Sequence, residues 1–125
     1  MHKPEFRRVE ESRLDKPWGY ELRWATTDRY AGKVLHINKG EALSLQYHER
    51  KEEHQYVIKG AVDIELGGPD GTLTTHRMQV GDTLHITPGT RHRLTAVEDT
   101  DIFEVSTSEL DDVVRIQDRY GRAGT

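Results

Sequence analysis

The chain has 125 residues, enough for one domain, and its 18 lysines and arginines against 22 aspartates and glutamates give a net charge of −4. This charge disfavours general binding to nucleic acid, and the lack of cysteine excludes disulfide scaffolds, thiolate metal sites and cysteine nucleophiles. With 32% charged residues no membrane-spanning helix is predicted, and residues 1–6 lack the apolar core of a secretion signal, so we expect a cytoplasmic protein.

The predicted elements begin after a charged segment. Residues 1–16 are interpreted as an N-terminal arm and residues 17–125 as one folded domain. Within the domain, short runs rich in aliphatic and aromatic residues alternate with turn signals, which predicts an all-β sandwich or barrel. The segment 109–119 is compatible with a short helix or a last strand. The β-rich runs cover residues 34–37, 43–48, 56–58, 61–66, 72–78, 83–87, 92–97 and 101–105.

Residues with ligand chemistry lie in and beside these runs. Gln46 and His48 point to the same side of a strand because side chains alternate along it, and Glu53 and His92 follow later in the chain. Two imidazoles, a carboxylate and an amide oxygen suit a divalent first-row metal. They neutralise only part of its charge, so the ion would stay Lewis acidic. The spacing alone is equally compatible with surface histidines beside ordinary turns.

Two blocks of the sequence carry a family pattern. In the first, Gly40 is followed after five residues by Gln46-x-His48, then after four residues by Glu53 and after six by Gly60. The second block contains Pro88-Gly89 and His92. The pattern resembles the paired motifs of the cupin superfamily. Within it the chain resembles the type II phosphomannose isomerase domain, which also forms the C-terminal part of bifunctional mannose-1-phosphate guanylyltransferases. Further matches are Pro17-Trp18-Gly19, Lys33, Leu43-Ser44-Leu45, Pro88-Gly89, His92-Arg93-Leu94 and Asp118-Arg119-Tyr120-Gly121-Arg122.

The resemblance implies a single-domain cupin, a double-stranded β-helix with a jelly-roll-like barrel. It also implies that a divalent metal, whether Zn, Mn, Co, Ni or Fe, is held inside the barrel by four residues. The implied ligand is a small sugar phosphate, and the implied reaction interconverts mannose 6-phosphate and fructose 6-phosphate. The group that moves the proton is left open between Lys33, His54 and a hydroxide held by the metal. The implied metal ligands are Gln46, His48, Glu53 and His92.

The chain departs from the family pattern close to the ligands. Lys51 stands where the family has arginine, Gln55 where it has tryptophan, and the stretch 106–110 is shorter than the family loop. A non-catalytic metal-containing cupin that binds a sugar-like ligand is therefore an alternative function. A metal-dependent oxygenase is a further alternative, disfavoured because Gln46 replaces an imidazole. The nucleotidyltransferase part of the bifunctional enzymes does not occur in this sequence, so we expect no nucleotide transfer.

Self-association is predicted from the need to cover sheet edges. A short β-rich chain exposes such edges, and the arm 1–16 carries too few apolar residues to fold alone. Cupins commonly pair, so we predict a homodimer in which the arm adds a strand to a neighbour, and no nucleic-acid or membrane partner. Trp18, Tyr20 and Trp24 are interpreted as core or dimer-contact aromatics.

Overall fold

Short strands joined by tight turns make up nearly all of the computed structural model, which describes residues 4–124. Residues 1–3 of the predicted arm and residue 125 lie outside the described residues. A 3₁₀ turn at Val9–Ser12 precedes the strands. In chain order these are β1 (Arg13–Lys16), β2 (Gly19–Thr26), β3 (Ala31–Ile37), β4 (Leu45–Tyr47), β5 (Glu53–Lys59), β6 (Ala61–Gly67), β7 (Leu73–Gln79), β8 (Thr83–Ile86), β9 (Arg91–Ala96), β10 (Thr100–Ser106) and β11 (Val114–Gln117).

The strands form two antiparallel sheets. The six-stranded sheet has the order β1-β2-β3-β10-β5-β8, and the five-stranded sheet has the order β11-β4-β9-β6-β7. Each sheet has apolar inward residues that form a shared core, which confirms the predicted all-β sandwich or barrel. None of the helical structure within residues 4–124 is long and apolar enough to cross a membrane.

Two segments of uncertain character in the sequence become strands. The segment 109–119 contains β11, which pairs with β4 and places Arg115 opposite Gln46. Part of the predicted arm forms β1, which pairs with β2 of the same chain through the register Arg13 to Leu22. Pairing decides both cases, because neither segment has a clear apolar period of its own. The partner of β11 lies far away in the chain, whereas β1 forms a hairpin with the strand that directly follows it.

The inward side chains divide the barrel into a polar half and an apolar half. Side chains alternate along each strand, so every second residue faces the interior. Trp18 is 3% exposed and belongs to the apolar core, whereas Trp24 is 53% exposed on the outside. Along four strands the buried inward residues change from polar to apolar: Lys33 to Leu35 and Ile37, Glu104 to Ile102, Gln55 to Val57, and His92 to Leu94 and Ala96.

The turn between β5 and β6 requires a glycine. Gly60 has φ +84°, and a Cβ atom added there would lie 2.3 Å from the carbonyl oxygen of Asp99. Any other residue would be strained by the backbone conformation and would also clash. The glycine therefore lets β5, which carries Glu53, turn directly into the neighbouring sheet.

Candidate metal centre

Three ligand-type side chains converge at the polar end of the barrel. His48 directly follows β4, Glu53 begins β5, and His92 lies in β9. Oε1 of Glu53 is 3.2 Å from Nε2 of His48 and 3.4 Å from Nε2 of His92. One ligand atom from each residue lies within 4.8 Å of the others, and all three side chains are buried. The structure therefore brings together residues from three separate segments that are up to 44 positions apart in the sequence.

Backbone carbonyl groups orient both imidazoles. Nδ1 of His48 donates to the carbonyl oxygen of Asp112 at 2.6 Å, and Nδ1 of His92 donates to the carbonyl oxygen of Thr90 at 2.9 Å. A carbonyl oxygen only accepts, so each Nδ1 carries a proton and each Nε2 faces Glu53. Protein groups commonly hold metal-binding histidines in this way.

The turn between His48 and Glu53 is fixed by one carboxylate. Asp112 accepts hydrogen bonds from the backbone N–H groups of Glu49, Arg50 and Lys51 at 3.0, 2.7 and 2.9 Å. Burial would raise the pKa of Asp112, but these three hydrogen bonds outweigh it and lower the pKa. The ionised carboxylate thus determines the spacing between two of the ligand-type residues.

The electrostatics of this cluster fit a cation. Burial would raise the pKa of Glu53, but its contacts with His48 and His92 and the charge of Lys51 hold the pKa well below the ordinary value. Nε2 of both imidazoles and an oxygen of the ionised carboxylate converge on one point, and these are ligand types that a divalent first-row ion takes. Oε2 of Glu53 is buried and makes no well-aligned hydrogen bond, and Nζ of Lys51 lies 3.4 Å from it as an ion-pair partner. The donor set therefore fits a metal.

Gln46 lies beside the cluster on the same cavity wall. It is opposite His92 in the pairing of β4 with β9. Its amide nitrogen donates to Oγ of Ser44 at 3.1 Å and contacts the Ser44 carbonyl oxygen at 3.4 Å. Because a backbone oxygen only accepts, the amide nitrogen faces Ser44, and the amide oxygen is the end that could bind a metal.

The cavity extends from the cluster to a second group of buried charges. It has a volume of about 410 Å³ and includes Lys33, Lys51 and Glu104 in its lining. Nζ of Lys51 is 3.4 Å from Oε2 of both Glu53 and Glu104. Nζ of Lys33 is 4.0 Å from Glu104 and 3.8 Å from Glu21. The volume lies within the range of small-molecule sites.

The buried charges have shifted pKa values. Burial and the nearby Glu53 carboxylate raise the pKa of Glu104 to about 8, in spite of Lys51 and Lys33. Burial lowers the pKa of Lys33, whereas in Lys51 the attraction of Glu104 and Glu53 outweighs burial and raises the pKa. Such shifts in one cavity are typical of functional sites.

Residue patterns predicted only some of the side chains in this cavity. Lys33, predicted as a catalytic candidate, lines the cavity, whereas Glu104 and Lys51 received no role. Side-chain alternation could have identified Glu104, because it shares a face of β10 with the apolar Ile102, which is expected to face the core. In the same way, Gln55 shares a face of β5 with Glu53.

The structure does not bring His54, the other catalytic candidate, to the cavity. Its neighbours Glu53 and Gln55 face inward and are buried, so alternation along β5 turns His54 outward, where it is exposed. Its ring stacks on that of His85 with 4.3 Å between the centroids. The outside position follows directly from its place next to an inward Glu53.

The mouth of the cavity carries positive charge. Arg115 and Arg122 line the cavity together with Lys16 and Arg23. Arg122 makes an ion pair with Asp118 at 2.9 Å. Burial and the neighbouring charge of Arg122 lower the pKa of Arg115, which indicates guanidinium groups close together. Such a mouth suits an anionic ligand.

The sequence is similar to a known family and to longer proteins. The family model described as "Cupin domain" matches residues 33–106. Mannose-1-phosphate guanylyltransferase of Escherichia coli K12 is 33% identical over 112 residues, which is 86% of this chain and 22% of that protein. Xanthan biosynthesis protein XanB of Xanthomonas campestris (strain B100) is 30% identical over 112 residues, 86% of this chain and 23% of that protein. The chain thus spans about a fifth of the length of these relatives.

Solved structures share the architecture. KdgF from Halomonas sp. has a TM-score of 0.72 at 24% identity, covering 85% of this chain and 95% of that one. Oxalate decarboxylase from Bacillus subtilis has a TM-score of 0.71 at 18% identity, covering 86% of this chain and 31% of that one. At these identities the likeness establishes the fold alone.

Proposed function

This chain belongs to the cupin family, and we propose that it is a metal-dependent sugar-phosphate isomerase, most simply one that interconverts mannose 6-phosphate and fructose 6-phosphate. The observation that carries the proposal is one cavity with a metal-type cluster, buried proton-carrying groups and a cationic mouth. The names of the relatives support the substrate class, since mannose 1-phosphate is a sugar phosphate. The sequence resemblance to phosphomannose isomerases supports the reaction.

Each part of the cavity has a task in this reaction. The guanidinium groups of Arg115 and Arg122 would bind the phosphate through charge-assisted hydrogen bonds at the mouth. Gln46, His48, Glu53 and His92 would hold the metal, which supplies Lewis-acid polarisation of a sugar carbonyl when bound. The substrate would then lie between the cationic mouth and the ligand cluster.

The proton must be moved between neighbouring carbons by a group other than the ligands. Nζ of Lys33 is the predicted candidate that lies in the cavity, and burial lowers its pKa, as an amine that accepts protons needs. Glu104 is 4.0 Å from it and stabilises its charged form. We assign the proton transfer to Lys33 with Glu104 as its partner, and we give His54 no role.

A direct assay tests the proposal. Protein purified without chelators and loaded with Mn²⁺, Zn²⁺ or Co²⁺ should convert mannose 6-phosphate to fructose 6-phosphate above a blank that contains the metal alone. Lys33→Met should retain the metal and lose turnover, whereas the exposed Lys39→Met should retain both. Metal-loaded protein that turns over no hexose or pentose phosphate would refute the isomerase proposal.

A second candidate is a cupin that binds a sugar phosphate without turning it over. The observation that favours it is the engagement of Lys51 with both Glu53 and Glu104, which ties cavity carboxylates into ion pairs. Binding stabilises the folded state in proportion to the logarithm of ligand concentration. A melting temperature that rises with mannose 6-phosphate, without any product, would favour this candidate over the isomerase.

A further inference from the structure

The chain after β11 turns back and reaches the mouth of the cavity. Residues 118–124 form this turn, in which the N–H of Gly121 donates to the carbonyl oxygen of Asp118 at 3.4 Å. The N–H of Gly124 donates to the carbonyl oxygen of Arg115 at 3.1 Å. Gly121 has φ +80°, a left-handed conformation in which the chain can reverse its direction. The turn therefore brings Arg122 back beside β11, where it lines the cavity.

The carboxylate of Asp118 fixes the direction of Arg122. It accepts hydrogen bonds from the backbone N–H of Arg122 at 2.7 Å, from Nε at 2.9 Å and from Nη2 at 3.0 Å. The side chain of Asp118 is 0% exposed, whereas that of Arg122 is 25% exposed. Because a guanidinium is planar, two parallel bonds to one carboxylate determine its orientation. A buried group thus holds a partly exposed cation in one geometry.

Tyr120 attaches the same turn to the body of the barrel. Its ring packs against the apolar core, and the guanidinium carbon of Arg122 lies 5.6 Å from the ring centroid. The hydroxyl group of Tyr120 donates to the carboxylate of Glu41. Beside it, Nη1 of Arg119 donates to the carbonyl oxygen of Gly40 at 2.7 Å. The loop that contains Gly40 and Glu41 is hydrogen-bonded to β9, so the turn is attached to the five-stranded sheet at two points.

This turn keeps two positive charges close together at the mouth. Arg115 and Arg122 both line the cavity, and burial and the charge of Arg122 lower the pKa of Arg115. Like charges repel each other, so the pair requires a negative group nearby. Asp118 is that group, since the hydrogen bonds from Arg122 and the charge of Arg115 both lower its pKa. The carboxylate therefore holds two guanidinium groups together at one place.

We propose that Asp118 and Tyr120 are positioning residues that hold Arg122 at the mouth for the phosphate group of a sugar phosphate. In this arrangement the guanidinium groups of Arg115 and Arg122 form one binding site. The inference rests on the proposed function in one respect, since it takes a sugar phosphate as the ligand. A side chain that is fixed before binding loses less conformational entropy when the ligand arrives. The affinity for phosphate thus depends on two residues that act through Arg122.

The sign of one charge effect distinguishes positioning from simple electrostatics. A carboxylate near an anion site repels the anion, so on charge alone Asp118→Asn should tighten the binding of phosphate. Positioning predicts the opposite, because the guanidinium of Arg122 is then less firmly held. We expect Asp118→Asn to raise the dissociation constant by about three- to tenfold. Asp111, an exposed carboxylate in the lining of the same cavity, is the matched control, and Asp111→Asn should not weaken binding.

Isothermal titration calorimetry on the full, metal-loaded chain tests the proposal. The probe is mannitol 6-phosphate, which has the phosphate but no carbonyl group to isomerise, so binding is measured without turnover. Tyr120→Phe removes only the hydrogen bond to Glu41 and should raise the dissociation constant by about two- to threefold. Tyr30→Phe changes an exposed tyrosine, 55% exposed, and should bind as the wild type does. Circular dichroism and metal content show whether each variant is folded.

Three results would overturn the positioning role: a wild type that does not bind the probe, a folded Asp118→Asn that binds it as tightly as the wild type or more tightly, and an equal loss in Asp111→Asn. Where Asp118→Asn loses its β-sheet spectrum, Tyr120→Phe decides, and an unchanged dissociation constant there overturns the proposal. A wild type that binds the probe but turns over no sugar phosphate refutes the isomerase alone. The two proposals can therefore fail separately.

Discussion

The two faces of the six-stranded sheet reverse the usual distribution of polarity. Facing inward, Lys33 and Glu104 are 6% and 5% exposed, and neighbouring Val34 and Val105 face outward, with Val105 50% exposed. Most proteins bury aliphatic residues and expose charged ones, because burying an unpaired charge costs several kcal/mol. This sheet does the opposite on both faces at one end, with charged residues buried inside and aliphatic and aromatic residues exposed outside.

The reversal is confined to part of each strand. At one end of β10 the arrangement is ordinary, with apolar Ile102 facing inward and charged Asp101 facing outward. Two residues further along, the arrangement is reversed, because charged Glu104 faces inward. The apolar half supplies the core that supports the polar half. The buried charges form ion pairs with one another, and this pairing offsets the free-energy cost of removing them from water.

The largest expected effect comes from breaking the inner face. His48→Ala or His92→Ala should abolish stoichiometric metal, and Glu53→Gln should lower metal affinity by more than about 100-fold, since even supporting residues cost up to that amount. Gln46→Ala should reduce metal affinity least, because a water molecule can take the place of the neutral amide oxygen. Metal analysis of the purified variants measures this. His54→Ala is the control, and loss of metal there, with retention in His92→Ala, would refute the site.

A second prediction tests the charge pairs of the inner face through pH. Burial would raise the pKa of Glu21, but Lys33 and the hydrogen bond from Arg23 outweigh it and lower the pKa. A lowered carboxylate pKa adds stability above the unfolded value of about 4.3, and this stability is lost as pH falls through the folded pKa. Glu21→Gln should therefore reduce the free energy of unfolding at pH 7 by about 1–3 kcal/mol.

Urea unfolding at several pH values measures this contribution. The difference between wild type and Glu21→Gln should shrink as the pH falls from the ordinary pKa of glutamate through the lowered pKa of Glu21 in the folded state, because below that value both side chains are neutral. Glu10→Gln, an exposed carboxylate in the 3₁₀ turn, is the control and should show little difference at any pH. A Glu21 difference that is constant with pH would contradict the assigned ion pairing.

The smallest effect is expected on the outer face of the five-stranded sheet, which has the ordinary polarity. There Asp63 pairs with Arg77, and both side chains are well exposed. Exposed ion pairs contribute little, so Arg77→Ala should change the free energy of unfolding by less than about 1 kcal/mol. Thermal unfolding measures this change. A loss as large as that of Glu21→Gln would show that this exposed ion pair contributes as much as the buried ones.

Sequence patterns predicted the fold class and the positions of most strands along the chain. The β-rich run 61–66 was predicted as a strand, and β6 covers it. Lys33 was singled out only through the resemblance, since alternation does not say which side faces inward. The role of Lys51 was missed because it lies outside any regular strand, where no period determines its direction.

The sequence by itself determined which residues share a face: Gln46 with His48, Glu53 with Gln55, and Ile102 with Glu104, because side-chain alternation is a local property of the backbone. Only the tertiary structure decided which faces meet. It placed Glu53 between His48 and His92, set Lys51 against Glu104, and turned segment 114–117 into a strand beside β4. The register of strands distant in the chain depends on packing of the whole core, and no local pattern specifies it.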